Sequence, residues 1–293
     1  MEEIEAWRKA AGITGEALAY GKSLIKKGST ALEVVEKVEE KIRKLGGKPA
    51  FPAQLSMDHV AAHSCPGHDD KTILDSQLIK LDVGAHINGC IGDAACTVDL
   101  SGENAELVEA SQKALEAAIR MAKPGTKVFE IGQAIQDIIT SYGFSPVRNL
   151  SGHGLEEFDV HAEPSIPNFN NGDSAELEEN QVIAIEPFAT KGSGIVIETG
   201  NTQVFSLKEK KPVRDATTRE ILKEIGSYEG LPFAKRWLTK KFPAFKVNLA
   251  MHQIINNSML MQHPPLAEKE KKAVSQAEHT ILVKEKPEVL TKI

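Results

Sequence analysis

The stretch Leu81-Asp82-Val83-Gly84-Ala85-His86-Ile87-Asn88-Gly89-Cys90-Ile91-Gly92-Asp93-Ala94 reads as a β-hairpin, and its geometry is the firmest in the 293-residue sequence. Asn88-Gly89 between alternating apolar flanks is a strong two-residue turn signal, because both central positions of the favoured turn need positive φ. Pairing outward sets Ile87 against Cys90, Ala85 against Gly92 and Gly84 against Asp93. Side chains alternate faces along a strand, so Asp82 and Gly84 share a face and Asp93 becomes a diagonal neighbour of Asp82. Two carboxylates then point together from an apolar sheet, with glycine leaving space beside them. Held close in a protein interior they repel one another and resist desolvation, so they need a shared proton, a cation or a metal.

Three more segments carry polar groups in similar surroundings. Ser151-Gly152-His153-Gly154 sets a histidine between glycines, where backbones can approach and an imidazole can project into a cavity. Val182-Ile183-Ala184-Ile185-Glu186-Pro187-Phe188 is an apolar strand ending at a carboxylate before proline. Gln276-Ala277-Glu278-His279-Thr280-Ile281-Leu282-Val283 embeds a second carboxylate in a strand, with Glu278 and Thr280 on one face. Four carboxylates and one neutral imidazole suit a pair of divalent ions such as Mn, Fe, Co or Zn. The competing reading is that these distant segments never converge. His59, His68, His86, His252 and His263 are read as surface, packing or substrate-lining groups.

Around these strands the chain alternates with helices. Apolar residues recur at helical spacing from about Ile4 to Leu45, with Lys27-Gly28-Ser29-Thr30 as a break: Gly28 is expected to end one helix and Thr30, with Glu33 three residues on, to cap the next. A second helical pair is expected over about Glu103 to Ala122 and Val128 to Tyr142. The two regions look alike, which suggests a duplicated αβ unit with a site between its halves, or two helical hairpins that share turn chemistry. Lys211 to Met261 reads as mostly helical and carries Lys235, Arg236, Lys240 and Lys241. That cluster is read as a solvated surface, with contact to an acidic partner such as ribosomal RNA as the alternative.

A formal net charge of -6 gives no general reason to bind nucleic acid or an acidic membrane surface. The acidic start Met1-Glu2-Glu3-Ile4-Glu5 does not resemble a secretory signal, and no apolar run is long enough to span a bilayer, so a cytoplasmic protein is expected. Cys65, Cys90 and Cys96 lack a CxxC arrangement and are read as reduced thiols.

Taken in order, Pro49-Ala50-Phe51-Pro52, Ala61-Ala62-His63, Leu81-Asp82-Val83-Gly84, Gly92-Asp93, Ser151-Gly152-His153, His161-Ala162, Ile185-Glu186-Pro187-Phe188 and Ala277-Glu278-His279-Thr280 resemble the type 2 methionine aminopeptidases, pita-bread metallopeptidases related to prolidase. The resemblance covers most of the chain. It implies an α+β pita-bread fold, a curved antiparallel sheet under paired helices with pseudo-twofold halves. Residues 1–293 would form one catalytic domain, with a helical subdomain inserted at about 211–261, in the short form that lacks an N-terminal extension.

By the same resemblance Asp82, Asp93, His153, Glu186 and Glu278 hold two divalent metal ions, Asp93 and Glu278 bridging them. The implied reaction releases an N-terminal methionine from nascent polypeptides and Met-initiated peptides, by attack of a metal-activated water on the peptide carbonyl, with a small second residue preferred. Glu186 is implied as general base, His161 beside the carbonyl and His63 beside the following amide. Phe51 is implied to line the methionine pocket, with Phe188 as a neighbour. His263 stands where relatives commonly have tyrosine, which would alter the polarity of the pocket. The resemblance implies a monomer, a transient ribosome contact and no membrane association. The nearest rival on this fold is a proline-directed aminopeptidase or prolidase; a different class is a non-catalytic binding protein of the same fold.

Overall fold

The structure, a computed structural model, describes residues 2–292. Its centre is the hairpin of strands Leu78–Ile87 and Cys90–Asp99, paired in the register Ile87↔Cys90, Ala85↔Gly92 and Gly84↔Asp93 that the Asn88-Gly89 turn predicts. Asn88 and Gly89 both have positive φ, 50° and 97°, as a right-twisted two-residue turn requires. Gln54–Met57 and Lys48–Pro49 pair with the first of these strands and complete a four-stranded antiparallel sheet.

Helices α1 (Glu2–Leu24) and α2 (Ala31–Lys44) cover this sheet. Close approach of α1 is possible because position 92 is glycine: a Cβ there would lie 2.4 Å from the Ala11 Cα. The Thr14 hydroxyl uses that proximity, accepting from the Ala85 N–H at 3.1 Å and donating to the Gly92 carbonyl at 3.0 Å. Apolar faces of both helices then bury Ile13, Ala17, Val34, Val38 and Ile42 against Leu55, Leu81 and Val83. Thr30 accepts from the Glu33 N–H, a cap that stabilises a helix start by about 1 kcal/mol. The expected stop at Gly28 is displaced. α1 ends at Leu24, whose carbonyl accepts from the Ser29 hydroxyl, and Gly28 serves the following turn with φ of 88°.

A second unit repeats the plan. Helices α3 (Ala105–Met121) and α4 (Val128–Ser141) pack on a five-stranded sheet ordered Glu288–Val289, His279–Leu282, Val182–Ile185, Ser151–Glu156, Asp159–Pro167. Its core joins Leu107, Ala114, Ile131 and Ile135 to Ile183, Ile185 and Ile281. Two threonines lock the halves together: the Thr280 hydroxyl donates to the Asp93 carbonyl and accepts from its N–H, both at 2.7 Å, and Thr97 makes the same exchange with Gln276 at 2.7 and 2.9 Å.

Residues 204–263 form a third layer with its own core, including Phe205, Ile221, Ile225, Phe233, Trp237 and Leu238. Helices α5 (Ala216–Gly226), α6 (Lys235–Thr239) and α7 (Ala244–Asn256) lie between strands Val204–Leu207 and Leu260–His263, which pair with each other in the register Val204↔His263. The basic cluster divides here. Arg236 is not a surface group: it is 1% exposed and pairs with buried Glu39 of α2, which also accepts from the Trp237 indole at 2.8 Å. Among the described residues no helix is long and apolar enough to cross a membrane.

Removing one partner of a buried ion pair leaves an uncompensated charge, whereas replacing both with apolar groups can be neutral. Arg236→Ala is expected to lose about 3–5 kcal/mol in urea unfolding. The double variant Glu39→Leu/Arg236→Met should recover most of that loss; equal stability of the two variants would contradict the pairing.

Candidate metal centre and active site

Between the two sheets lies a cavity of about 200 Å³. Asp82 and Asp93 reach it from the central hairpin, and His153 from the strand Ser151–Glu156. Glu186 and Glu278 reach it from links just beyond regular strands, after Ile185 and before His279. Phe51, His63, His161, Phe188 and His263 also line it, so all ten side chains that the sequence assigns to the site face one space.

The local sequence explains how they arrive there. Glycines flank His153 because neighbouring backbones leave no room for side chains: a Cβ at 152 would lie 2.3 Å from the Ala184 carbonyl oxygen, and one at 154 would lie 2.0 Å from that of Glu163. The space that Gly84 leaves opposite Asp93 is filled by Phe51, whose ring a Cβ at position 84 would meet at 2.2 Å. Thr280 fixes the backbone of Asp93, and the Glu278 N–H donates to the Ala95 carbonyl at 3.0 Å.

Asp93, His153 and Glu278 each offer one ligand atom within a group whose members all lie within 4.8 Å of one another. The His153 Nε2 lies 3.9 Å from Asp93 Oδ2 and 3.7 Å from Glu186 Oε1. Its Nδ1 lies 3.1 Å from the Gly154 carbonyl oxygen, which can only accept, so the ring proton sits on Nδ1 and the Nε2 lone pair faces the carboxylates. Burial holds His153 neutral, with its pKa down at about 3. Three buried carboxylate oxygens, Asp82 Oδ1, Asp93 Oδ1 and Glu278 Oε2, have no hydrogen-bond partner among the described residues.

Burial pushes the Asp82 carboxyl up to about 7. Burial raises Asp93 and Glu278 well above the usual carboxylate range, reinforced by repulsion among the acids, and burial with repulsion from Asp82 does the same to Glu186. Oxygen-rich, mutually repelling and aimed at one imidazole lone pair, this donor set fits hard or borderline divalent ions.

His63 has φ of 63°, and its N–H donates to Gln54 Oε1 at 2.7 Å, which holds the strained backbone. Its buried Nδ1 is unpartnered. The His161 ring stands edge-on to His153 at 4.7 Å, and His263 stands edge-on to His63 at 5.9 Å while its Nε2 contacts the Ser206 hydroxyl at 2.9 Å. Burial brings His63 and His263 down to about 4, so both rings are neutral. Sequence reasoning overlooked Gln54 and also Gln276, which donates to Glu186 Oε2 at 3.2 Å. Neither is an ionisable or metal-ligating side chain, so although each stands at one end of a short strand, only their partners reveal them.

These shifts have a sign. In metal-free protein the four carboxyls bind protons more tightly than the unfolded chain does, so their stabilising contribution is lost as pH rises through the folded value, about 7 for Asp82. His63, His153 and His263 oppose this only below their ordinary value of 6.5, where the unfolded chain takes up protons. Scanning calorimetry of metal-stripped protein should therefore show a Tm that falls from about pH 6.5 to about pH 8. A flat or rising Tm across that window would contradict the buried acid cluster.

Comparison with known proteins gives the family and the fold. The model of metallopeptidase family M24 matches residues 5–228. A methionine aminopeptidase of Archaeoglobus fulgidus is 47% identical over 94% of both chains, and one of Pyrococcus horikoshii is 44% identical over 96% of this chain and 95% of its own. Among solved structures, a methionine aminopeptidase from Thermotoga maritima superposes with a TM-score of 0.72 at 26% identity, covering 100% of this chain and 97% of that one. A thermophilic Arx1 reaches 0.86 at 15% identity, covering 100% of this chain and 91% of its own, and shares the fold alone. The chain belongs to metallopeptidase family M24, has its pita-bread fold, and falls among the methionine aminopeptidases.

Proposed function

We propose that this chain removes N-terminal methionine from peptides and nascent polypeptides, preferring a small second residue, with two divalent ions held by Asp82, Asp93, His153, Glu186 and Glu278. The observation that carries this reading is a cluster of carboxylates around a neutral histidine, with Asp93 and Glu186 oxygens within 4 Å of its Nε2 and unpartnered buried oxygens on Asp82, Asp93 and Glu278. Co, Mn, Fe and Zn all suit such ligands. Bound there, the ions would polarise the scissile carbonyl and make water a nucleophile near neutral pH.

The remaining chemistry belongs to the protein. Glu186 is the proposed base, taking the proton of the attacking water and passing it to the leaving amine; the Gln276 amide orients its second oxygen. His161 is accessible at the cavity side and stands next to His153, a position from which a neutral ring can donate to the carbonyl oxygen as charge develops. His63, neutral and with an unpartnered nitrogen, suits the amide that follows methionine. Phe51 and Phe188 supply aromatic faces for a thioether side chain, and His263 adds a polar edge beside them.

The proposal includes residues 1–293 as one catalytic domain with residues 211–261 as an inserted subdomain. It also includes a monomeric state and a transient ribosome contact through exposed Lys240 and Lys241, since Arg236 is buried.

A panel of peptides varied at the first two residues tests the substrate directly. Met-Ala-Ser should be cleaved and X-Pro peptides with other first residues should not; the reverse preference would make the chain a proline-directed enzyme. His153→Ala is expected to lose turnover by at least about 100-fold together with metal. His161→Ala should lose turnover by about 10²–10³-fold, the usual loss for an oxyanion donor, while metal content by atomic emission stays unchanged. Loss of metal from the second variant would make His161 a ligand instead.

A further inference from the structure

A second cavity, of about 340 Å³, lies beside the reaction cavity, and Pro232 lines both. It opens between the core and the 211–261 segment. The core contributes Arg43 from the last turn of α2 and Lys48 from the strand that leads into Phe51, and the segment contributes Lys240 and Lys241. Tyr228 and Trp237 give it an aromatic wall. Four cations face one lining carboxylate, Glu229, in a chain whose net charge is -6.

His86 joins these groups. It is 5% exposed, lies at the end of the strand that carries Asp82, and lines the cavity. Its Nδ1 accepts from the Gly89 N–H at 3.2 Å, which leaves the proton on Nε2 as a donor. Burial lowers its pKa, Lys48 lowers it further and Glu229 opposes them, as expected if all three groups face one space.

The cations are available to a ligand. Lys48 makes no salt bridge among the described residues. Lys240 holds Glu36 and Lys241 holds Glu224, each at 2.7 Å, with both lysine side chains more than half exposed, and Arg43 lies 3.8 Å from Glu39. The Lys240–Glu36 pair, with both side chains more than a third exposed, contributes about 0–1 kcal/mol, so exchanging its partner for an incoming carboxylate costs little, whereas Arg43 and Lys241 would meet a ligand while keeping buried Glu39 and largely buried Glu224. The proposed substrate is a polypeptide whose remaining length must leave the reaction cavity, and a chain leaving past Pro232 meets this cleft.

We propose that the cleft binds acidic and apolar side chains of the substrate a few residues beyond the scissile bond, so that acidic N-terminal segments are processed in preference to basic ones. This rests on the methionine-removal reading. The test compares Met-Ala-Ser with peptides extended to seven residues that carry Glu or Lys at positions four to six, using metal-loaded wild type and the Lys48→Ala/Lys241→Ala variant. Wild type should favour the Glu peptide in kcat/KM by about five- to tenfold at low salt, mostly through KM, the size of one or two partly screened charge contacts. The preference should shrink in about 0.5 M salt. It should also collapse in the double variant, which should cleave Met-Ala-Ser as wild type does. Equal rates on both extended peptides, or a preference that survives the double variant, would overturn the cleft assignment alone. Failure of wild type to cleave Met-Ala-Ser would remove the functional reading and this inference with it.

Discussion

Four carboxylates held together in the wall of one largely buried cavity repel one another, and each resists losing its hydration. Asp82, Asp93, Glu186 and Glu278 meet this condition around His153, and Asp82, Asp93 and Glu278 each carry a buried oxygen with no hydrogen-bond partner among the described residues. Such an arrangement is unfavourable for stability taken alone, because an isolated buried carboxylate either takes up a proton or needs a compensating charge. Protonation and divalent ions therefore compete for the same oxygens. A single cost, mutual repulsion among desolvated acids, links the raised carboxyl pKa values to the metal binding and the chemistry proposed for this chain.

The scaffold is arranged to keep that cluster from relaxing. Two packed helical layers fix the sheets from outside, while the reciprocal hydrogen bonds of Thr280 and Thr97 fasten the central hairpin to the C-terminal strands. Glycines at 92 and 154 let backbones approach to distances that no side chain would permit. The third layer closes the structure differently, through the buried Glu39–Arg236 pair and the strand that delivers His263 beside His63. Rigidity matters here because the neutral histidines act only if their ring protons and lone pairs stay aimed.

Local rules made the central hairpin legible before any coordinates. Asn88-Gly89 sets the turn, the turn sets the register, and the register puts Asp93 opposite Gly84 and diagonal to Asp82. Both helical pairs were likewise visible from spacing, though α1 ends at Leu24 and not near Gly28, where side-chain bonding from Ser29 overrode the glycine signal. Convergence of His153, Glu186 and Glu278 on the hairpin was not legible from spacing, since it depends on contacts between segments far apart in the chain; family motifs joined them. Arg236 marks the opposite failure. Read among Lys235, Lys240 and Lys241 it looks like surface charge, and only its partner Glu39, 197 residues away, shows it to be buried. Gln54 and Gln276 have no pattern of their own, because they act by holding His63 and Glu186.

Stepwise anaerobic titration of the metal-stripped protein with Mn or Co tests the central claim most directly, with heat, proton release and Met-Ala-Ser hydrolysis followed together. Saturation at two ions per chain, with protons released and hydrolysis rising as the sites fill, is the predicted result. Full hydrolysis without added metal, or binding that releases no protons, would contradict it.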